Sequence, residues 1–156
     1  HDAAGCGRTE AVRELTRLGA IKSVVAGSRG TPLHEAAMRG HVETAEVLLE
    51  DKFYEPFLNR DDIMPLSVPV MKPNLIGISD SVGLTPVMFA VWCGQLEVFK
   101  LLTSKGGDIS DKDTHSLSTF EHCFVGGQAS KLSQFCEACG IRSSGERRAD
   151  WCSANG

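Results

Sequence analysis

The residues with the clearest chemistry to offer are four cysteines near the C-terminal end. Cys123, Cys136, Cys139 and Cys152 are spaced Cys-x12-Cys-x2-Cys-x12-Cys, with His122 beside the first of them. Thiolates and imidazole in this number can hold tetrahedral zinc. A zinc knuckle usually sets its close pair on a tight turn, however, whereas Cys136 and Cys139 read as one face at the end of a helix. Cys123 and Cys136 also fall at slots that want a small apolar group, the usual place of a buried free thiol. The expectation is therefore no metal and no cofactor, with zinc at these four cysteines as the alternative. The chain carries no GxSxG, no phosphate-cradling glycine loop and no His–Cys or carboxylate pair at a catalytic spacing, so it is not expected to be an enzyme. Glu35, Glu43, Glu46 and Glu50 read as solvated charges on helix surfaces, and Gly106-Gly107 and Gly126-Gly127 as helix ends.

The elements that would position such residues are short. "TPLHEAAMRGHVETAEVLLED", residues 31 to 51, reads as two helices joined by a turn. Thr31 can cap the first helix, and Pro32 suits its first position, where a missing N–H costs nothing. Ala36 and Ala37 are small enough for a neighbouring helix to approach closely, and Gly40 lets the chain reverse. Val42, Ala45, Leu48 and Leu49 then follow at helical spacing. Two such helices cannot bury a core alone. The rest of the chain supplies the neighbours: residues 1 to 20 align on 34 to 53 at an offset of 33, placing His1 on His34, Ala3 and Ala4 on Ala36 and Ala37, and Gly7 on Gly40. A third copy places Thr85-Pro86 on Thr31-Pro32 and Gly94 on Gly40, an offset of 54, which is 33 plus 21. In a fourth, weaker copy Gly127 stands 33 residues after Gly94.

A 33-residue period carrying "TPLHEAA" resembles the ankyrin repeat over nearly the whole chain, from His1 to about Ile141. The resemblance implies an all-α solenoid of about four helix-turn-helix repeats with β-hairpin-like loops and one long insertion. The repeats fall at about 1–27, 28–51, 80–113 and 114–141, with the insertion at 52–79 and a tail or linker at 142–156. His1 and His34 take the family's structural histidine position, which ties the hairpin to the helix. Two departures stand out: Met88 replaces that histidine in the third copy, and Ser118, Thr119, Phe120 and Glu121 replace the whole Thr-Pro-Leu-His in the fourth. The resemblance also implies a non-catalytic binding module whose hairpin tips and inner helices form a concave face. Its exposed positions would include Gly27, Ser28, Arg29, Met38, Arg39, Ser81, Val82, Leu84, Phe89, Trp92 and Cys93, with Trp92 as interface anchor or packed under the insertion. The alternative is a subunit fixed permanently in a large cytoskeletal or membrane-associated complex.

The insertion is located by counting. From Gly7 to Thr31 and from Gly94 to Ser118 the spacing is 24, but from Gly40 to Thr85 it is 45. The added stretch is too apolar for a solvated linker, and Pro56, Pro65, Pro69 and Pro73 favour an extended path. Long insertions in repeat proteins tend to lie on the binding face, which makes Phe57, Leu66, Val68 and Met71 candidate anchors; the competing reading has the loop fold back over its own repeats.

Bulk properties narrow the partner. A net charge of -4 argues against nucleic acid, and no apolar run reaches the roughly 18 residues of a membrane span, so direct membrane insertion is not expected. Six irregularly placed cysteines do not make a secreted disulfide framework, which points to a reducing, cytoplasmic setting. The first residue aligns inside a helix and is not methionine, so the chain is expected to be part of a longer polypeptide. The expected partner is another protein or another domain of that same longer chain.

Overall fold

The computed structural model describes residues 1–27, 30–50 and 74–141. Arg29, the insertion anchors Phe57, Leu66, Val68 and Met71, Cys152 and the tail at 142–156 lie outside the described residues. Four helix pairs follow one another: α1 (Asp2–Gly5) with α2 (Thr9–Arg17), α3 (Pro32–Arg39) with α4 (Val42–Leu49), α5 (Pro86–Trp92) with α6 (Leu96–Ser104), and α7 (His122–Val125) with α8 (Leu132–Ala138). A 3-10 turn, Ala129–Lys131, leads into α8. Among the described residues there is no helix long and apolar enough to cross a membrane.

Local sequence fixes where these helices begin and turn. Thr31 and Thr85 are extended, with ψ of 169° and 162°, and each is followed by proline at the first helical position. The fourth pair has Ser118-Thr119 at these positions and α7 has no side-chain cap; the Ser118 N–H and O–H donate to Glu121 Oε2 at 2.6 and 2.7 Å. At the far end of each inner helix Gly7, Gly40, Gly94 and Gly127 take φ of 65°, 79°, 72° and 70°, a left-handed conformation that glycine adopts without a Cβ penalty. The chain then doubles back through one recurring bond. The N–H groups of Arg8, His41, Gln95 and Gln128 donate to the carbonyls of Ala3, Ala36, Ala90 and Cys123 at 2.7–3.0 Å.

The pairs stack in two layers. The inner helices α1, α3, α5 and α7 pack in series, and so do the outer helices α2, α4, α6 and α8. Ala36, Ala37 and Ala90 are wholly buried where inner helices meet, while Leu48, Phe99 and Leu102 fill the space between layers. Phe99 is wholly buried, edge-on to Phe135 at 5.0 Å and to Phe120 at 6.3 Å. The tight inner contacts carry a prediction. Replacing Ala37 or Ala90 by leucine should overpack the stack and lower stability by about 1–3 kcal/mol. Thermal melts matching the parent for both variants would contradict this packing.

The loops before α3, α5 and α7 fold as hairpins. Ala26 N–H donates to Gly30 O at 2.9 Å, Asp80 N–H to Leu84 O at 2.9 Å and Asp113 N–H to Leu117 O at 3.1 Å. Among the described residues the hairpins do not extend into strands; one isolated antiparallel bridge joins Lys112 and Ser118. Asp80 Oδ1 accepts from the N–H groups of Val82 and Leu84, and 33 residues on Asp113 Oδ1 accepts from His115 and Leu117. The described end of the expected insertion, residues 74–79, is part of this framework. Leu75 and Ile76 are buried, and Ile78 packs against the core, so these residues lead into the hairpin before α5.

Candidate partner-binding surface

The side of the stack formed by the inner helices and hairpin tips carries a run of rings. His34 meets Phe89 edge-on at 5.5 Å, Phe89 stacks on Trp92 at 6.1 Å, and Trp92 stacks on His122 at 5.8 Å with 21° between planes. Three successive inner helices are thereby linked. Phe89 and Trp92 sit three residues apart on α5, so one helix face presents both. Each is half-buried.

The histidines at the two ends of this run differ. His34 is fully engaged: its Nδ1 accepts from the Thr31 N–H at 3.0 Å and lies 2.9 Å from Thr31 Oγ1. A backbone N–H can only donate, so Nε2 carries the hydrogen and donates it to Leu84 O, 2.9 Å away in the next hairpin. His1 repeats the bond one unit earlier, its Nε2 lying 3.1 Å from Gly30 O and 2.9 Å from Val24 O. His122 is equally buried, yet among the described residues neither ring nitrogen has a hydrogen bond. Its nearest charge is Asp113 Oδ2, 3.4 Å from Nε2. Burial lowers the affinity of both imidazoles for a proton. The Leu84 carbonyl and Asp80 oppose this at His34, and Asp113 and Glu121 oppose it at His122.

The expected contact residues are placed unevenly. Met38 is half-buried on α3 and Arg39 exposed, its Nε 3.7 Å from Glu35 Oε2. Val82 is exposed at the hairpin tip, where its carbonyl accepts from Thr114 Oγ1 at 2.9 Å and from the Thr114 N–H at 3.2 Å. Leu84 departs from expectation. At 4% exposed it belongs to the core, because the hairpin turns inward after Gly83 and delivers its carbonyl to His34. Glu35 also departs: it is 3% exposed, not solvated, since it faces the preceding repeat beside Gly5 and Arg39. In the sequence His122 stands out only as a possible metal neighbour. Its place in the ring run follows from register, since it stands 33 residues after Phe89.

The thiols show burial chemistry. Cys123 is wholly buried, donates to Gln128 O at 3.4 Å, and is pushed up to about 11 mainly by burial. Cys136, Cys139 and Cys93 are raised by the same cause. Among the described residues no three His, Cys, Asp or Glu side chains converge as metal ligands. A cleft of about 280 Å³ opens in the first repeat, away from the rings, lined by Ala4, Val12, Leu15, Ile21, Val24 and Leu48 among others. Its apolar walls are interrupted by His1, Thr16 and Lys22.

A family model of ankyrin repeats, in three copies, matches residues 1–113. The matched stretch contains the first three helix pairs and ends at Asp113, which opens the hairpin before α7.

Proposed function

Because the chain belongs to the ankyrin-repeat family, we propose that it is a non-catalytic module that binds another protein through the hairpin tips and inner helices of its second and third repeats. Ankyrin repeats are generally protein-protein interaction modules. The observation that carries the reading is the half-buried stack of Phe89 and Trp92, with Met38 and Arg39 on the neighbouring inner helix and Val82 at the adjoining tip. Aromatic rings already held by packing lose little conformational freedom on binding, which is why they serve as interface anchors. The helix pair at 114–141 counts as a fourth repeat in this reading, and Arg29 with Phe57, Leu66, Val68 and Met71 of the insertion supply further contacts. The free thiols of Cys6, Cys93, Cys123, Cys136 and Cys139 support a reducing, cytoplasmic setting.

Affinity capture with the full chain, followed by mass spectrometry, tests this reading. Trp92→Ala and a deletion of residues 54 to 74 should each lose a protein that the parent retains. Glu97→Ala, on the exposed side of α6, should keep it. Capture unchanged by Trp92→Ala, in a variant whose circular dichroism matches the parent, would refute the proposed face.

A further inference from the structure

Trp92 rests on two residues of the next inner helix. His122 stacks on the indole, 5.8 Å between centroids and 21° between planes, and Gly126 lies one turn further along α7. A Cβ on Gly126 would collide with the carbonyl and Cδ1 of Trp92, so the missing side chain is what lets α5 and its indole approach α7. In the earlier repeats the register equivalents of Gly126 are Cys93, Arg39 and Cys6, and those of His122 are Phe89, Glu35 and Asp2. The fourth pair alone sets a glycine and an imidazole together at these positions.

The imidazole in this seat is buried with no hydrogen bond to either nitrogen among the described residues. Asp113 Oδ2 is 3.4 Å from Nε2 without being aligned as a hydrogen bond. That carboxylate is fixed, because its Oδ1 accepts from the His115 N–H at 2.8 Å and the Leu117 N–H at 2.9 Å, so any alignment has to come from the ring. The other titratable groups around α7 are engaged or turned outward. His115 is exposed, with Nδ1 3.8 Å from the same Oδ2. Glu121, with Lys112 near it, is held by Ser118, and Lys131 on the 3-10 turn donates to Gly94 O at 3.0 Å. On the α5 side Cys93 keeps its thiol proton, since burial raises it. A neutral imidazole can serve here as an apolar plate. An imidazolium has two N–H donors and no acceptor, and a buried charge requires a partner; Asp113 is the anion within reach.

We propose that His122 is a positioning residue for the partner-binding surface: neutral, it is the plate on which Trp92 rests, and protonated, it turns to pair with Asp113 Oδ2, gives up the stack and lowers partner affinity. The proton comes from solvent and returns to it, so the change is reversible. Burial sets the range of operation below the ordinary imidazole value of 6.5, with Asp113 and Glu121 opposing the shift. The release of a partner rests on the reading of Phe89 and Trp92 as the binding face, whereas the movement of the ring needs no partner.

Acrylamide quenching of Trp92 fluorescence tests the movement, in the full chain carrying Trp151→Phe so that one tryptophan remains. Between pH 7 and pH 5, over the range where circular dichroism is unchanged, quenching should rise along a one-proton curve with its midpoint below 6.5. His122→Phe supplies the ring found one repeat earlier and has no proton to take, so its quenching should stay at the neutral level throughout. Asp113→Asn keeps an acceptor for the His115 and Leu117 N–H groups but removes the anion, so its midpoint should fall further. Flat quenching in the parent overturns the proposal, as does a His122→Phe variant that titrates like the parent. Quenching that decreases on acidification also overturns it, because the imidazolium would then be held against the indole face. The release step is read by affinity capture. A protein retained through Trp92 at pH 7 should leave the parent at pH 5 and stay on His122→Phe, and equal retention or equal loss on both would break the link between proton and partner. Capture that Trp92→Ala does not disturb refutes the binding face and with it the release step, while the quenching curve still decides the movement of the ring.

Discussion

Replacing Phe99 with alanine should cost about 3–5 kcal/mol, the usual cost of deleting a fully buried ring. Total stability for a domain is only about 5–15 kcal/mol, so the variant should stand close to unfolding. Phe99 is wholly buried and joins the third pair to the fourth through its edge contacts with Phe120 and Phe135. Each aromatic contact adds roughly 0.5–1.5 kcal/mol beyond area burial, and both are lost together. Stability in a repeat stack is shared between neighbours, so the loss should be felt unevenly. Hydrogen exchange should show α7 and α8 losing protection before α3 and α4, and urea melts by circular dichroism should show an earlier midpoint. A midpoint equal to the parent's would mean that the third and fourth pairs are not held together through this ring.

Phe99 was legible in the sequence as a core position, since it continues the spacing of Val42, Ala45 and Leu48 on the preceding outer helix. The helix starts and reversals were equally legible, because threonine-proline and left-handed glycine act locally and need no neighbour. The errors lie where a side chain's surroundings come from another repeat. Glu35 reads as a surface charge within its own helix, but the preceding pair covers it. Leu84 reads as a loop tip, yet the hydrogen bond that draws it inward starts at His34, 50 residues earlier. In the fourth copy, where Ser118, Thr119, Phe120 and Glu121 replace the family's residues, the Ser118 N–H finds its acceptor in the Glu121 carboxylate as the Thr31 N–H does in the His34 imidazole. Trp92 could be read as anchor or as packing. Its stacking on His122 is visible only when the 33-residue register is carried across two helices.

His34 is where local capping and repeat-to-repeat coupling meet, and its substitution should show both. His34→Ala leaves the buried Thr31 N–H without its acceptor and takes one of two donors from the Leu84 carbonyl, which keeps the Asp80 N–H, so a loss of about 1–3 kcal/mol is expected. His34→Gln should recover part of this, because an amide can accept from Thr31 and donate towards Leu84 as in a capping box. The pair of variants also separates structure from titration. The folded imidazole binds a proton less readily than the unfolded one, whose ordinary value is 6.5, chiefly through burial. Above that value both states are neutral and the native bonds contribute in full. As pH falls below it the unfolded chain takes the proton first, and stability declines until the folded-state value is reached. His122 is shifted in the same direction, so two protons are linked to unfolding in this window. Glu121, held low by Ser118, contributes the opposite ionisation, and its stabilisation is lost only on acidification through values below 4.5. Urea melts between pH 7 and pH 5 therefore isolate the histidines. The parent should lose stability on acidification, His34→Gln should lose less, and His34→Gln with His122→Asn should be nearly flat. If the acid slope of His34→Gln equals the parent's, His34 does not resist protonation in the folded chain, and its coupling of the second repeat to the hairpin before α5 is not the bond described.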